Sequence, residues 1–135
     1  MTPKCPYCRQ DARLLGWEEP GYPYPENWGP AWKCAPCDAY VRCYRGTTKP
    51  LGTLADAETR HWRSLAHRAV DPFWQGVQMS RSAVYRWMAQ VLGVEEAHIG
   101  ELDPAGCQRV IAAVEHSRLA DPFSQLLNDA PGAVA

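Results

Sequence analysis

CPYC at residues 5–8 and CAPC at residues 34–37, the latter inside Trp32-Lys33-Cys34-Ala35-Pro36-Cys37-Asp38-Ala39-Tyr40-Val41, decide how this chain is read. Each C-x2-C pair can sit in a tight knuckle that aims two thiolates at one ion, and a proline inside each pair suits such a turn. The two pairs lie 25 residues apart and together complete the tetrahedral four-sulfur shell that structural zinc prefers. Cys5, Cys8, Cys34 and Cys37 are therefore the expected ligands of one Zn2+. A redox C-x-x-C pair would open a helix in a βαβ setting, which is missing here. An iron–sulfur centre can use the same four thiolates, and Cys43 is an alternative fourth ligand. A closed four-thiolate shell has no open position for water or substrate, so the ion's role is structural. Its binding free energy, on the order of 10–16 kcal/mol in small zinc peptides, can fold a segment with too little core of its own.

Outward from the knuckles, the first half of the 135-residue chain is rich in Pro, Gly, Cys and aromatics, with five of the six cysteines among residues 1–50. Arg13–Trp17 and Ala39–Tyr44 are the strand candidates. In the second, alternation puts Tyr40, Arg42 and Tyr44 on one face and Val41 and Cys43 on the other. Residues 18–30 carry too many prolines and glycines for regular pairing and read as loop. Pro50 and Gly52 mark the boundary, giving a ribbon over 1–52, a helical domain over 53–127 and a disordered tail over 128–135.

In the second half, Thr53 with Asp56 three residues on reads as a capping box opening a helix that runs to about Val70, where Asp71-Pro72 stops it. Ser80 caps a second helix, Arg81 to Leu92, with Gly93 after its end. Asp103 and Pro104 open a third, whose stripe of Cys107, Val110, Ile111 and Val114 faces a core and which ends near Leu119. A fourth, weak helix follows Asp121-Pro122. The fold class is thus α+β: an N-terminal four-cysteine zinc ribbon of short hairpins followed by a bundle of three or four helices.

Net charge is −1, which argues against a protein that coats nucleic acid through bulk positive charge. The distribution is uneven: residues 51–94 carry five Lys/Arg against three Asp/Glu, and residues 95–135 two against seven. Any anion-binding surface belongs to the ribbon and the first two helices. Tyr24, Trp28, Arg42 and Tyr44 have the chemistry of a surface on which bases stack, with Arg60, Arg63 and Arg68 on the first helix continuing a phosphate path. The same aromatics also suit the packing of a small metal module or the anchors of a protein interface. His61, His67, His98 and His116 form no metal-protease motif, and nucleotide-binding and nucleophile-elbow motifs are absent, so the chain is not expected to be an enzyme. With no apolar run of about 18 residues and no signal core at the start, an intracellular compartment without a membrane partner is expected.

CPYC, W-x-C-x-x-CDAYV at 32–41, TTKPLGTLADA at 47–57, Arg60, Ala66-His67, Asp71-Pro72-x-Trp74, MSRSAVYRWMAQVLGV at 79–94, His98-Ile99-Gly100 and Asp103-x-x-x-Cys107 together resemble a family of small zinc-finger-containing proteins of unknown function, encoded mostly by bacteriophages and prophages. The resemblance covers about residues 5–115. It implies a phage-derived protein in a bacterial cytoplasm, with Cys5, Cys8, Cys34 and Cys37 as zinc ligands. The first half is also similar to the zinc ribbons of type IA topoisomerases, which grip single-stranded DNA. Two functions are expected from this reading: a non-enzymatic accessory protein binding DNA, single-stranded or duplex, or a protein-binding module that inhibits or redirects a bacterial host factor such as a defence system.

Overall fold

The structure, a computed structural model, describes residues 2–75 and 79–120, apart from the side chains of 118–120. The chain divides into two compact units, Met1–His61 and Trp62–Ala135.

The first unit is built on three short antiparallel strands in the order β1-β2-β3: Arg13–Leu15, Ala31–Cys34 and Ala39–Arg42. Leu14 pairs with Trp32, and Lys33 with Tyr40. The turn between β2 and β3 is the second knuckle itself, so the Cys34↔Ala39 pair closes the hairpin across Cys37. The first knuckle is a smaller hairpin, closed by the Lys4↔Asp11 bridge and by the Cys5 N–H donating to the Gln10 carbonyl at 2.8 Å. In both knuckles the residue after the second cysteine adopts left-handed backbone, Arg9 at φ 67° and Asp38 at φ 50°, which turns the chain back on itself.

Strand β3 has the alternation read from the sequence. Val41 packs against the cysteine core and Cys43 is buried, while Tyr40 and Arg42 meet aromatic rings of the 18–30 loop. Strand β2 was not among the strand candidates. Four residues carry no resolvable period, and the strand is specified by its two neighbours and by the need to deliver Cys34. The free edge of β3 is covered by the returning chain: Leu51 donates to the Arg42 carbonyl, and Tyr40 and Ala55 exchange both backbone bonds at 3.1 Å. That pairing drives Leu54, 1% exposed, into the interior beside Cys5, Ala12, Cys34 and Ala39.

The same pairing corrects the expected start of the first helix. Residues 53–55 lie outside the helix, with Ala55 bridged to Tyr40, and α1 runs Ala57–Gln75 with the Asp56 side chain capping it by accepting the Thr59 N–H at 2.9 Å. The helix also passes the stop read at Asp71-Pro72. Pro72 lies inside it on the exposed side, as does Arg68, whose carbonyl proline leaves without an N–H partner, while Val70 on the opposite side is buried in the apolar core with Phe73 and Trp74 packed against that core.

In the second unit, α2 spans Arg81–Leu92, with Ser80 accepting the Ala83 N–H and Gly93 in the left-handed C-cap conformation, as the sequence implies. A 3-10 turn at Ile99–Glu101 leads to α3, Pro104–Ala120, whose N-cap Asp103 accepts the Gly106 N–H at 2.8 Å. Ala66, Val70, Val84, Met88, Ile99, Cys107, Val110 and Val114 form its continuous apolar core. The fourth helix and the tail expected from the sequence lie outside the described residues.

Candidate metal centre and its aromatic face

The hairpins bring one sulfur each from Cys5, Cys8, Cys34 and Cys37 to within 4.8 Å of one another. Cys8 and Cys34 are the cross-knuckle pair, 3.6 Å apart at sulfur. Zinc–sulfur bonds of about 2.3 Å in a tetrahedron require sulfurs roughly 3.8 Å apart, a spacing the Cys8–Cys34 pair already matches and the other pairs exceed by at most about 1 Å. Cys5 and Cys34 are buried and Cys8 and Cys37 half-buried. Among the described residues this is the one group of three or more His, Cys, Asp or Glu side chains placed to hold a metal. Cys43 stands outside it: it bridges to Pro50, and burial pushes its thiol pKa up. Cys107 is fully buried in the helical core and is also held protonated by burial.

The electrostatics of the four sulfurs call for a cation. The Gln10 backbone N–H lowers the Cys8 thiol pKa, whereas burial raises that of Cys34 and pushes Cys37 up to about 12, with the neighbouring thiols adding to the effect. Four thiolates this close repel one another, and a divalent ion removes that penalty while displacing their protons.

Both knuckles are tied to the start of α1. The Tyr7 hydroxyl, from inside the first Cys pair, accepts the Asp56 N–H at 3.1 Å and lies 2.8 Å from Thr59 Oγ1. Thr59 is 2% exposed, so this bond satisfies a buried hydroxyl. Arg60 donates to the Ala55 carbonyl at 2.6 Å and to the carbonyl of Asp38, just after the second pair, at 3.1 Å.

The proline-rich loop lies on the β3 face through a chain of rings. Trp17 meets Tyr22 edge-on, Tyr22 meets Tyr24, and Tyr24 touches both Trp28, at 4.9 Å, and Tyr40. The Tyr22 hydroxyl pins the loop by donating to the Gly29 carbonyl and accepting the Trp28 N–H. Tyr24 is the centre of the chain, and burial, then the neighbouring Tyr40, pushes its phenol up to about 12. Arg42 sits 5.3 Å from the centroid of Trp28, and Arg60 lies 3.9 Å over Tyr40.

Tyr24, Trp28, Arg42 and Arg60 are thus brought together around one ring cluster. Tyr44 stands farther along the chain, 47% exposed, with the Lys49 ammonium over its ring. Arg63 and Arg68 belong to the second unit. Arg63 donates to the Leu102 carbonyl at 2.8 Å, and Arg68 is exposed on α1. Sequence reasoning missed the parts of Tyr7 and Arg60 in anchoring α1. Tyr7 lies inside a ligand motif and was read only as spacer, and the carbonyls that take Arg60 come from Asp38 and Ala55, whose approach depends on the fold.

Knuckles that place four sulfurs around one point, on a small antiparallel sheet, define a zinc ribbon holding one structural zinc ion. The chain belongs to the DUF3268 family, a zinc-finger-containing domain, which it matches over residues 1–117. No curated protein and no solved structure matches it. No helix among the described residues is long and apolar enough to cross a membrane.

Proposed function

We propose that the chain is a non-enzymatic zinc-ribbon protein that binds DNA as an accessory factor of a phage, working in the cytoplasm of its bacterial host. Trp28 is the observation that carries this reading. It is 42% exposed, with Tyr24 packed against it and the Arg42 guanidinium over the ring, so a partly exposed indole and a cation are offered together. A base stacks on such a ring as the Arg42 guanidinium swings aside to meet a phosphate. Zinc supports the platform and takes no part in chemistry, because its four positions are filled by sulfur. Arg60 and Arg63, engaged by backbone carbonyls, support the ribbon and the helical unit respectively. Arg42 is the nearer phosphate contact.

Binding of a labelled oligonucleotide by the zinc-loaded protein, followed by fluorescence anisotropy across a salt series, tests the reading. The expected result is affinity that falls steeply with salt and drops about tenfold or more in Trp28→Ala, the scale of one lost stacking contact. Absent or salt-insensitive binding would sink it.

A protein-binding module acting on a host factor is the second reading, and the near-zero net charge and the 44% exposure of Trp17 favour it. Its mark is a stoichiometric complex from host lysate that survives nuclease and is lost in Trp28→Ala.

A further inference from the structure

Beyond Trp28, one more exposed ring of the first unit is paired with a cation. Tyr44 is 47% exposed, and the Lys49 ammonium sits 5.5 Å from its centroid, repeating the Trp28–Arg42 arrangement, in which the guanidinium is 5.3 Å from the ring. The two pairs are linked through β3 and its continuation. Arg42 and Tyr44 are exposed and the intervening Cys43 is buried, so positions 42 and 44 share a face. Arg45 is exposed in the turn that follows, and residues 39–55 contain Arg42, Arg45 and Lys49 but no Asp or Glu.

The turn is preorganised. Tyr44 donates its N–H to the Lys49 carbonyl at 2.9 Å, while its own carbonyl accepts both the N–H and the hydroxyl of Thr47. The Lys49 N–H returns to the Thr47 hydroxyl at 3.1 Å, and the Trp32 indole holds the Thr48 carbonyl at 2.8 Å. The basic side chains therefore project from a fixed backbone, which lowers the ordering cost of binding.

We infer that residues 42–50 form a second nucleotide subsite, continuous with Trp28, which makes unpaired nucleic acid the preferred ligand: one base stacks on Trp28 beside Arg42, the next on Tyr44 beside Lys49, with Arg45 on phosphate. This rests on the nucleic-acid reading above. One physical argument selects the unpaired form. In a duplex the base faces are covered by their neighbours, so open rings gain contact only at its ends, whereas every base of a single strand has a free π face.

The test uses the full zinc-loaded chain, a labelled oligothymidylate and a hairpin duplex of equal length, with anisotropy read across a salt series. The oligothymidylate is expected to bind about tenfold or more tighter than the duplex. Tyr44→Ala should weaken it about tenfold while Tyr44→Phe, which keeps the ring, binds as the parent does. Replacing Arg45 and Lys49 together by Gln should lower the log–log salt slope by about 1.4, the value for two lost contacts to a single strand, with zinc content unchanged. Equal affinity for duplex and single strand overturns the inference. So does parental binding by Tyr44→Ala and by the double variant while Trp28→Ala is impaired, an outcome that leaves the nucleic-acid reading standing. Failure of the parent to bind either form overturns both.

Discussion

In Met1–His61 the apolar cluster around Cys5 and Cys34 is completed by Ala12, Ala39 and Leu54, with Cys8 and Cys37 against them, whereas the unit from Trp62 onward fills its core with Val, Met, Ile and Cys side chains drawn largely from three helices. Four of the nine side chains of that cluster are the metal ligands. A segment of about 60 residues buries a smaller share of its surface than a larger domain does, and at that size metals or disulfides commonly supply the missing stability. The second unit has an apolar stripe on each of its described helices, and those stripes meet in one core. The difference teaches that this chain carries two kinds of stability: one set by metal concentration and thiol chemistry, the other by packing.

Removing zinc separates the two most strongly. Chelation, or Cys34→Ala, should unfold the ribbon, with a loss on the order of 10 kcal/mol. Hydrogen exchange would record the loss of protection at the amides of Cys5, Arg9, Ala12 and the β2–β3 hairpin, while those around Val84, Met88 and Val110 stay slow. Uniform loss of protection in both units would break the comparison.

The reciprocal experiment is Met88→Ala. Met88 is fully buried, so the cavity should cost about 2–5 kcal/mol in thermal or denaturant unfolding of the helical unit. Zinc stoichiometry measured by a colorimetric chelator should be unchanged. Loss of bound zinc would mean that the packing of one unit supports the site in the other.

Tyr7→Phe sharpens the comparison at a finer scale. It deletes the hydroxyl shared by the Asp56 N–H and the buried Thr59 side chain without touching a ligand. A cost of about 1–3 kcal/mol is expected, read as weaker protection of the first turn of α1 with the four sulfurs still binding zinc. Parental protection of that turn would show that the hydroxyl contributes nothing to it.

The smallest effects are on pH, and both belong to the ribbon unit. The Thr59 N–H donated to Asp56 holds that carboxyl below its usual range, so its contribution is present above the unfolded carboxylate value of about 4 and disappears as pH falls through the lower folded value. Burial raises Tyr24 to about 12 against an unfolded value near 10, so its contribution is constant below about pH 10 and is lost as pH rises toward 12. Asp56→Asn should flatten the acid limb and Tyr24→Phe the alkaline one, in unfolding curves of the zinc-loaded protein.

What the sequence disclosed follows the range of the forces involved. Ser80, Gly93, Asp103 and Pro104 act on backbone groups within four residues, and α2 and the start of α3 stand where those residues place them. The four ligands were equally readable, since metal geometry demands local pairs. The start of α1 was not, because Asp56, read only as the partner of a Thr53 cap, is itself the cap, and the shift follows from Ala55 pairing with Tyr40, 15 residues earlier in the chain. The continuation through Pro72 was hidden for a similar reason: burial of Val70 and the packing of Phe73 and Trp74 outweigh a local stop signal. Around the candidate binding surface, residue type announced rings and cations but not their pairing. Only the folded loop separates Arg42, over a partly exposed indole, from Arg60, spent on two carbonyls.

The left-handed residues that follow the two Cys pairs have a consequence for mutational tolerance. Arg9 and Asp38 hold φ values that cost most side chains free energy and cost glycine none. Saturation mutagenesis of the ribbon would therefore find glycine and asparagine acceptable at both positions and valine, isoleucine and threonine rejected, although neither residue touches the ion. The knuckles thus constrain six positions of the chain, four through sulfur and two through the handedness of the backbone.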